Sequence, residues 1–316
     1  MEEVIDPDLE ICDPHHHLLD VYGFQYMAGD LAADVGSGHN VTSTVYIECT
    51  MRYRQDGPEH LRPAGELDFV VDQDLRPGLA AGIVGFADLR LGDRVDEVLD
   101  AHEEAGRGRF RGIRFMTPWA SDPALRIAPV GPGEHALQDA DIQRGAAAVG
   151  RRGHTVDCWL YSHQLDDVVA IARALPDQVF VLDHLGTPVL TDRDRKQTDA
   201  VRAEWLQALG RVASCPNVVL KVGGLNMHAM AAPWVEGDTP VTSAEVAQYW
   251  GDDVRRCIDL FGPSRCMFES NFPVDQVNID YVTLWNAFKL ITQGYSRSER
   301  ASLLHQTAVR TYRIGG

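Results

Sequence analysis

The chain has 316 residues, 45% apolar and 24% charged, which suits a globular protein with a sizeable core and excludes a disordered polypeptide. Its net charge of -17, from 46 acidic against 29 basic residues, excludes the basic footprint that nucleic acid or an anionic membrane surface demands, while leaving room for a local basic pocket. The six cysteines are scattered without a Cys-x-x-Cys, no run approaches a membrane span, and the start, Met1 Glu2 Glu3 Val4, is acidic where a leader is basic, so a soluble cytoplasmic protein is expected.

The first predicted strand carries Cys12 Asp13 Pro14 His15 His16 His17 Leu18. In an extended backbone His15 and His17 share a face and His16 opposes them. Two neutral imidazoles on one face are half of a mononuclear metal site. A tag or surface run is the plainer explanation, but the run sits inside the chain between apolar residues. A β-branched second strand spans 41–47 and ends at Glu48. The next stretch, with Arg52, Arg54, Asp56 Gly57 Pro58 and Arg62 Pro63, is too rich in breakers for a helix and reads as a long loop. A short helix over 66–75, a third strand over 80–86 ending at Asp88, a helix over 94–105 and a fourth strand over 110–116 follow.

A Pro- and Gly-rich loop over 117–134 precedes a helix over 139–151, a fifth strand over 155–161 with His163 just beyond it, and a helix over 164–175. The sixth strand, over 179–182, ends in Asp183 His184 Leu185 Gly186, and a helix containing Trp205 and Leu209 leads to the seventh strand, over 218–222. A long connection precedes a helix over 243–261, its start capped at Ser243. The eighth strand is Cys266 Met267 Phe268, continued by Glu269 Ser270 Asn271 Phe272 Pro273 Val274 Asp275, and helices over 281–293 and 298–312 close the chain.

Eight strands alternating with helices and no low-complexity linker predict a single (β/α)8 TIM barrel over 1–316, with long loops at one mouth. A doubly wound sheet is the alternative, disfavoured because no Gly-rich phosphate loop follows the first strand. In a barrel the strand ends converge, so His15, His17, Glu48, Asp88, Arg114, His163, His184, Lys221 and the 269–271 group would face one cavity. Arg52, Arg54 and Arg114 are candidates to pair with a carboxylate substrate, although a solvated loop accounts for the first two. Lys221 is either a mouth cation or a snorkelling side chain.

These motifs, Asp13-x-His15-x-His17, Arg114 after Arg111 Gly112 Ile113, His163, Asp183 His184 Leu185 Gly186 and Ser270 Asn271 Phe272 Pro273, resemble the amidohydrolase superfamily. The branch is that of the amidohydrolase-2-type hydrolases, which includes sugar lactonases and 2-pyrone-4,6-dicarboxylate lactonase, with aromatic acid decarboxylases more distant. The resemblance implies a divalent metal, zinc for preference, on His15, His17 and His163, or in metal-free lactonases a substrate carbonyl in its place. It implies His184 as a supporting catalytic group and Arg114, with Arg54 and Lys221, as substrate-binding residues. The family's eighth-strand aspartate is here Asn271, which can coordinate but cannot take up a proton. Asp275 and Glu48 are the candidates to replace that base. The expected activity is hydrolysis of a cyclic ester or amide carbonyl in a small anionic molecule. A metal-dependent decarboxylase and a non-catalytic binding protein are the alternatives. Homo-oligomers are common for this architecture, but no interface signal is visible in the sequence.

Overall fold

The computed structural model describes residues 2–21, 23–125, 132–191, 195–237 and 239–315. Eight parallel strands follow chain order in one sheet: β1 (Ile11–His16), β2 (Val41–Ile47), β3 (Gly82–Phe86), β4 (Phe110–Met116), β5 (Thr155–Trp159), β6 (Phe180–Leu182), β7 (Val218–Val222) and β8 (Cys266–Phe268). The sheet curls until the segment beyond β8 meets β1: His17 N donates to Phe272 O at 2.8 Å and Asn271 N to His15 O at 2.9 Å. The result is a (β/α)8 TIM barrel. Parallel strands buried on both faces read as near-continuous apolar runs, as β6 and, but for Lys221, β7 do, while β2 is legible from its β-branched residues.

The helices are α1 (Ala28–Val35), α2 (Ala64–Val71), α3 (Val95–Gly106), α4 (Ala140–Arg151), α5 (Leu165–Ala174), α6 (Arg195–Ala213), α7 (Ser243–Phe261), α8 (Tyr281–Ile291), α9 (Arg297–Ala301) and α10 (Thr307–Thr311). The cap of α7 is Thr242, one residue before the expected Ser243, in a reciprocal box with Glu245. A π-helical stretch, Ser302–Gln306, joins α9 to α10 where one continuous helix was expected. α1 was not anticipated, because two buried residues, Leu31 and Val35, are all that its short amphipathic face offers. The expected loop over 117–134 holds a 3-10 turn at Pro123–Leu125, and its residues 126–131 lie outside the described ones.

One large apolar cluster fills the layer between barrel and helices. A second joins Cys12, Val45, Ile47, Val84, Val181 and Met267 with Ala308 and Tyr312 of the C-terminal segment. Side chains from β2, β3, β6 and β8 can meet only across the lumen, so this second cluster is the packed barrel interior. The six cysteines are free thiols, and five are buried. No helix, among the described residues, is long and apolar enough to cross a membrane.

Candidate active site

Strand alternation sorts the histidine run as its periodicity predicts. His16 turns away, its Nε2 2.9 Å from Thr44 Oγ1. His15 and His17 face each other with their Nε2 atoms 3.2 Å apart, both buried. Their protonation follows from their neighbours. His17 Nδ1 lies 2.8 Å from the Ile47 carbonyl, which only accepts, so Nδ1 carries the proton and Nε2 is a bare lone pair. At the other end Lys221 Nζ stands 3.1 Å from His15 Nδ1 and donates to it, which puts the His15 proton on Nε2, aimed at His17. The four groups form one directed chain from Lys221 through His15 and His17 to Ile47. Burial, reinforced by the Lys221 charge, pushes the His15 pKa well below the ordinary value. Burial and Arg114 do the same to His17, so both rings are neutral at pH 7.

Glu269, just past β8, sits between two imidazoles: Oε1 accepts from His184 Nδ1 at 2.7 Å, and Oε2 is 2.9 Å from His15 Nδ1 without an aligned donor. Burial raises Glu269 to about 8 against the opposing pull of Lys221, and it lowers His184 to about 3. Two glycines after β7 make room for this contact. A Cβ on Gly223 would lie 2.3 Å from Glu269 Cγ, and one on Gly224, which is also at φ +67, would lie 2.6 Å from His184 Cβ. His184 and Asn271 themselves adopt left-handed backbone, φ 53 and 55, which is disfavoured for non-glycine residues and must be held by the contacts around it.

Lys221 is fully buried, 2.9 Å from Asp157 Oδ2 and 3.0 Å from Asp183 Oδ1. Burial opposes its charge, but Asp157, Asp183 and Glu269 outweigh it and raise its pKa. Tyr312 Oη donates to the same Asp157 oxygen at 2.6 Å, tying the C-terminal segment into the network. Asp183 accepts no aligned hydrogen bond at either oxygen, and burial, moderated by Lys221, holds it at about 6. Arg114 Nε donates to Glu48 Oε1 at 2.9 Å, and its Nη2 donates to the Glu48 carbonyl; Glu48 Oε2 is buried with no partner. Asn271 Nδ2 donates to Asp275 Oδ1 at 2.9 Å, while Asp275 Oδ2 accepts from Asn226 N at 3.2 Å.

The expected residues therefore divide. His15, His17 and His184 come together; the charges of Arg114 and Lys221 act on all three rings or their partners. His163 does not join them. It is exposed, its Nε2 2.9 Å from the Trp119 carbonyl and its ring stacked on Tyr161. Arg54 pairs with Asp68 at 2.7 Å on the surface rather than at the centre. Lys221 occupies neither of its two expected places: its ammonium is internal, held by carboxylates, and is not offered to a substrate at an open mouth. Asp275 has both oxygens engaged, Oδ1 by the Asn271 amide and Oδ2 by the Asn226 backbone in the loop after β7. Asp157 and Tyr312 were not chosen from the sequence; Glu269 was expected at the cavity only as part of the 269–271 group, and Asp183 only as part of the Asp183 His184 Leu185 Gly186 motif. The signal was a lone charge inside each apolar strand, Asp157 in β5 and Lys221 in β7, since buried charges require partners.

The donor set fits a divalent metal. His15, Asp183 and His184 offer ligand atoms that all lie within 4.8 Å of one another. Neutral imidazoles and an ionised carboxylate are the forms that bind zinc-like ions, and an ion held by His15 would replace either the Lys221 contact at Nδ1 or the proton at Nε2. Asp183 and Glu269 Oε2 are buried acceptors without aligned donors, the kind of orphaned group that an ion or water explains.

Against known families, residues 12–314 match the model described as Amidohydrolase, Amidohydro_2. The uncharacterized protein y4mH of Sinorhizobium fredii is 30% identical over 97% of this chain and 99% of its own length. L-Fucono-1,5-lactonase of Burkholderia multivorans is 29% identical over 79% of this chain and 77% of its own. Among solved structures, an amidohydrolase of Burkholderia multivorans with bound zinc superposes with a TM-score of 0.74 at 23% identity, covering 96% of this chain and 99% of that one.

Proposed function

The chain belongs to the Amidohydro_2 amidohydrolase family, and from that premise we propose that it is a lactone hydrolase, opening the cyclic ester of a small sugar-acid-type molecule at the barrel mouth. The membership and the lactonase relative support a hydrolase of lactone type. The single observation that carries the finer reading is the directed chain from Lys221 through His15 and His17, set beside the buried carboxylate of Asp183, which is ion-paired with Lys221 at 3.0 Å but accepts no aligned hydrogen bond.

In this reading the Arg114 guanidinium, held rigid by Glu48, uses its remaining N–H groups to hold and polarise the substrate. Asp183 takes the proton from the attacking water; a carboxylate near 6 is suited to that task at neutral pH. Water adds to the carbonyl carbon, the ring C–O bond breaks as Asp183 returns its proton to the departing ring oxygen, and the new carboxylic acid gives up the second proton of the water to solvent, leaving Asp183 ionised again. Glu269 fixes the His184 ring, and Asp275 fixes the Asn271 amide, so neither group needs to reorganise during the reaction. A divalent metal, zinc in the Burkholderia amidohydrolase, would be held here by His15, Asp183 and His184 beside His17, and when bound it supplies Lewis acidity and an acidified water.

The test is proton release and product analysis on a panel of sugar 1,5-lactones. Ring opening with one proton per turnover supports the proposal. Inertness toward the whole panel, or CO2 release from aromatic acids instead, overturns it.

A further inference from the structure

The C-terminal segment closes the end of the barrel opposite the mouth. Arg313 Nη1 donates to the Gly153 carbonyl, just before β5, and Arg310 Nη2 donates to the Ser264 carbonyl, just before β8. Beside these anchors Ala308 and Tyr312 enter the packed interior, and both are fully buried. A buried phenol needs an acceptor, and Tyr312 Oη finds one in Asp157 Oδ2 at 2.6 Å, in the middle of β5. Burial, with Asp157 and Asp183 near it, pushes the phenol well above its ordinary pKa, so it stays protonated and donates.

The same Asp157 oxygen accepts from Lys221 Nζ at 2.9 Å, and Oδ1 accepts from Thr155 Oγ1 at 3.1 Å. The ammonium also lies over the Tyr312 ring, 5.5 Å from its centre. Tyr312 therefore meets the lysine twice, by its ring face and through a shared carboxylate oxygen. From there Lys221 bears on two groups of the reaction centre, His15 Nδ1 at 3.1 Å and Asp183 Oδ1 at 3.0 Å.

His15 Nδ1 stands between a donor and an acceptor. Lys221 offers it a proton, whereas Glu269 Oε2, 2.9 Å away, would accept one. With Lys221 in place the ring keeps its proton on Nε2, toward His17; with Lys221 drawn off, the proton belongs on Nδ1, toward Glu269. The tautomer thus depends on where the ammonium is held. Without the phenol hydroxyl, Lys221 is the donor left to Asp157 Oδ2 among the described residues, and the carboxylate pulls it toward β5 and away from His15.

We propose that Tyr312 is a positioning residue of this site: through Asp157 and its own ring face it holds the Lys221 ammonium against His15 and Asp183, and so keeps the His15 proton on Nε2. Its bearing on turnover rests on the lactone-hydrolase proposal, while its bearing on the His15 tautomer does not.

Tyr312→Phe keeps the ring and its packing and tests the proposal in two arms. In the first, nitrogen NMR of the histidine rings is recorded on the full chain after chelator treatment, with His15→Gln to assign the His15 signals. Wild-type His15 should show a protonated Nε2 and a bare Nδ1, and the Nδ1-protonated form should appear in Tyr312→Phe. In the second, kcat on a lactone that the wild type opens should fall about tenfold with KM within about twofold, the low end of what outer partners of site residues contribute, since the hydroxyl acts through two intervening groups. Lys221→Met closes the cycle: in that background Tyr312→Phe should change neither the His15 signals nor kcat any further. An unaltered His15 spectrum in Tyr312→Phe overturns the proposal, whatever the activity. So does a kcat within about twofold of wild type, or losses that add in the double variant. Failure of the wild type to open any lactone overturns the proposed reaction instead, and the ring spectra then decide the role of Tyr312 by themselves.

Discussion

Lys221→Met isolates the energetics of the internal charge network. The wild-type ammonium is fully buried and lies 2.9 Å from Asp157 and 3.0 Å from Asp183. Methionine fills a similar volume, so packing is largely kept and the loss is electrostatic. Removing one partner of a buried pair costs about 3–5 kcal/mol, because the charges left behind are uncompensated. For 316 residues, at about 2.1 cal/mol/K per residue, the unfolding entropy near the transition is about 0.66 kcal/mol/K, so the melting temperature should fall by about 5–8 °C. The loss should grow with pH. Without the ammonium the folded carboxylates hold their protons to higher pH than the unfolded chain does, so the folded state binds more protons and stability drops as pH rises. Scanning calorimetry at pH 5 and pH 8, with Lys221→Met/Asp157→Asn as the compensated control, measures both effects. A melting temperature within about 1 °C of wild type, or a double variant less stable than Lys221→Met by a further full decrement, would refute the ion-network account.

Three further outcomes follow from the same geometry. Gly224→Ala forces a Cβ to within 2.6 Å of His184 Cβ at a φ of +67, so the chain should fold with a modest loss of stability while kcat/KM drops about a hundredfold, as small misplacements of reacting groups do; unaltered kinetics would contradict the assigned role of His184. Burial holds Asp275 at about 8, so the native state retains a proton that the unfolded chain releases near pH 4, and that stability is lost as pH rises toward 8. The difference in melting temperature between Asp275→Asn and wild type should therefore increase from pH 5 to pH 8, and a flat difference would contradict the burial argument. Zinc added to chelator-treated protein at about 100 times its dissociation constant should raise stability by about 2.7 kcal/mol. The shift should vanish in His184→Ala and persist in His163→Ala; the opposite pattern would place the metal elsewhere.

The barrel was legible because its strands are short runs rich in β-branched and apolar residues, broken only by single polar or charged positions or a few hydroxyl residues, and their order fixed the mouth on which His15, His17 and His184 converge. Alternation in β1 correctly turned His16 away. What the sequence hid depends on side-chain direction and on distances across the lumen. His163 follows its strand by enough residues to leave the mouth, where the short turn Ser162–Gln164 hands its ring to the Trp119 carbonyl. Asp275 looked like a spare base, but four residues of turn bring it back beneath Asn271 as a hydrogen-bond acceptor. Asp157 and Lys221 stand on different strands and reveal themselves as partners only once the barrel closes. Gly223 and Gly224 directly follow the seventh strand, and the reason for them, the passage of Glu269 and His184, appears only in three dimensions.

The most direct measurement is kcat/KM of His17→Ala and His163→Ala on a lactone that the wild-type protein opens, each variant verified as folded. A loss of about a hundredfold is expected for His17, whose Nε2 accepts from His15, and less than about threefold for His163, in keeping with the cost of misplacing the groups around a reaction centre. Equal losses, or a larger loss at His163, would contradict a reaction centre built on His15, His17 and His184.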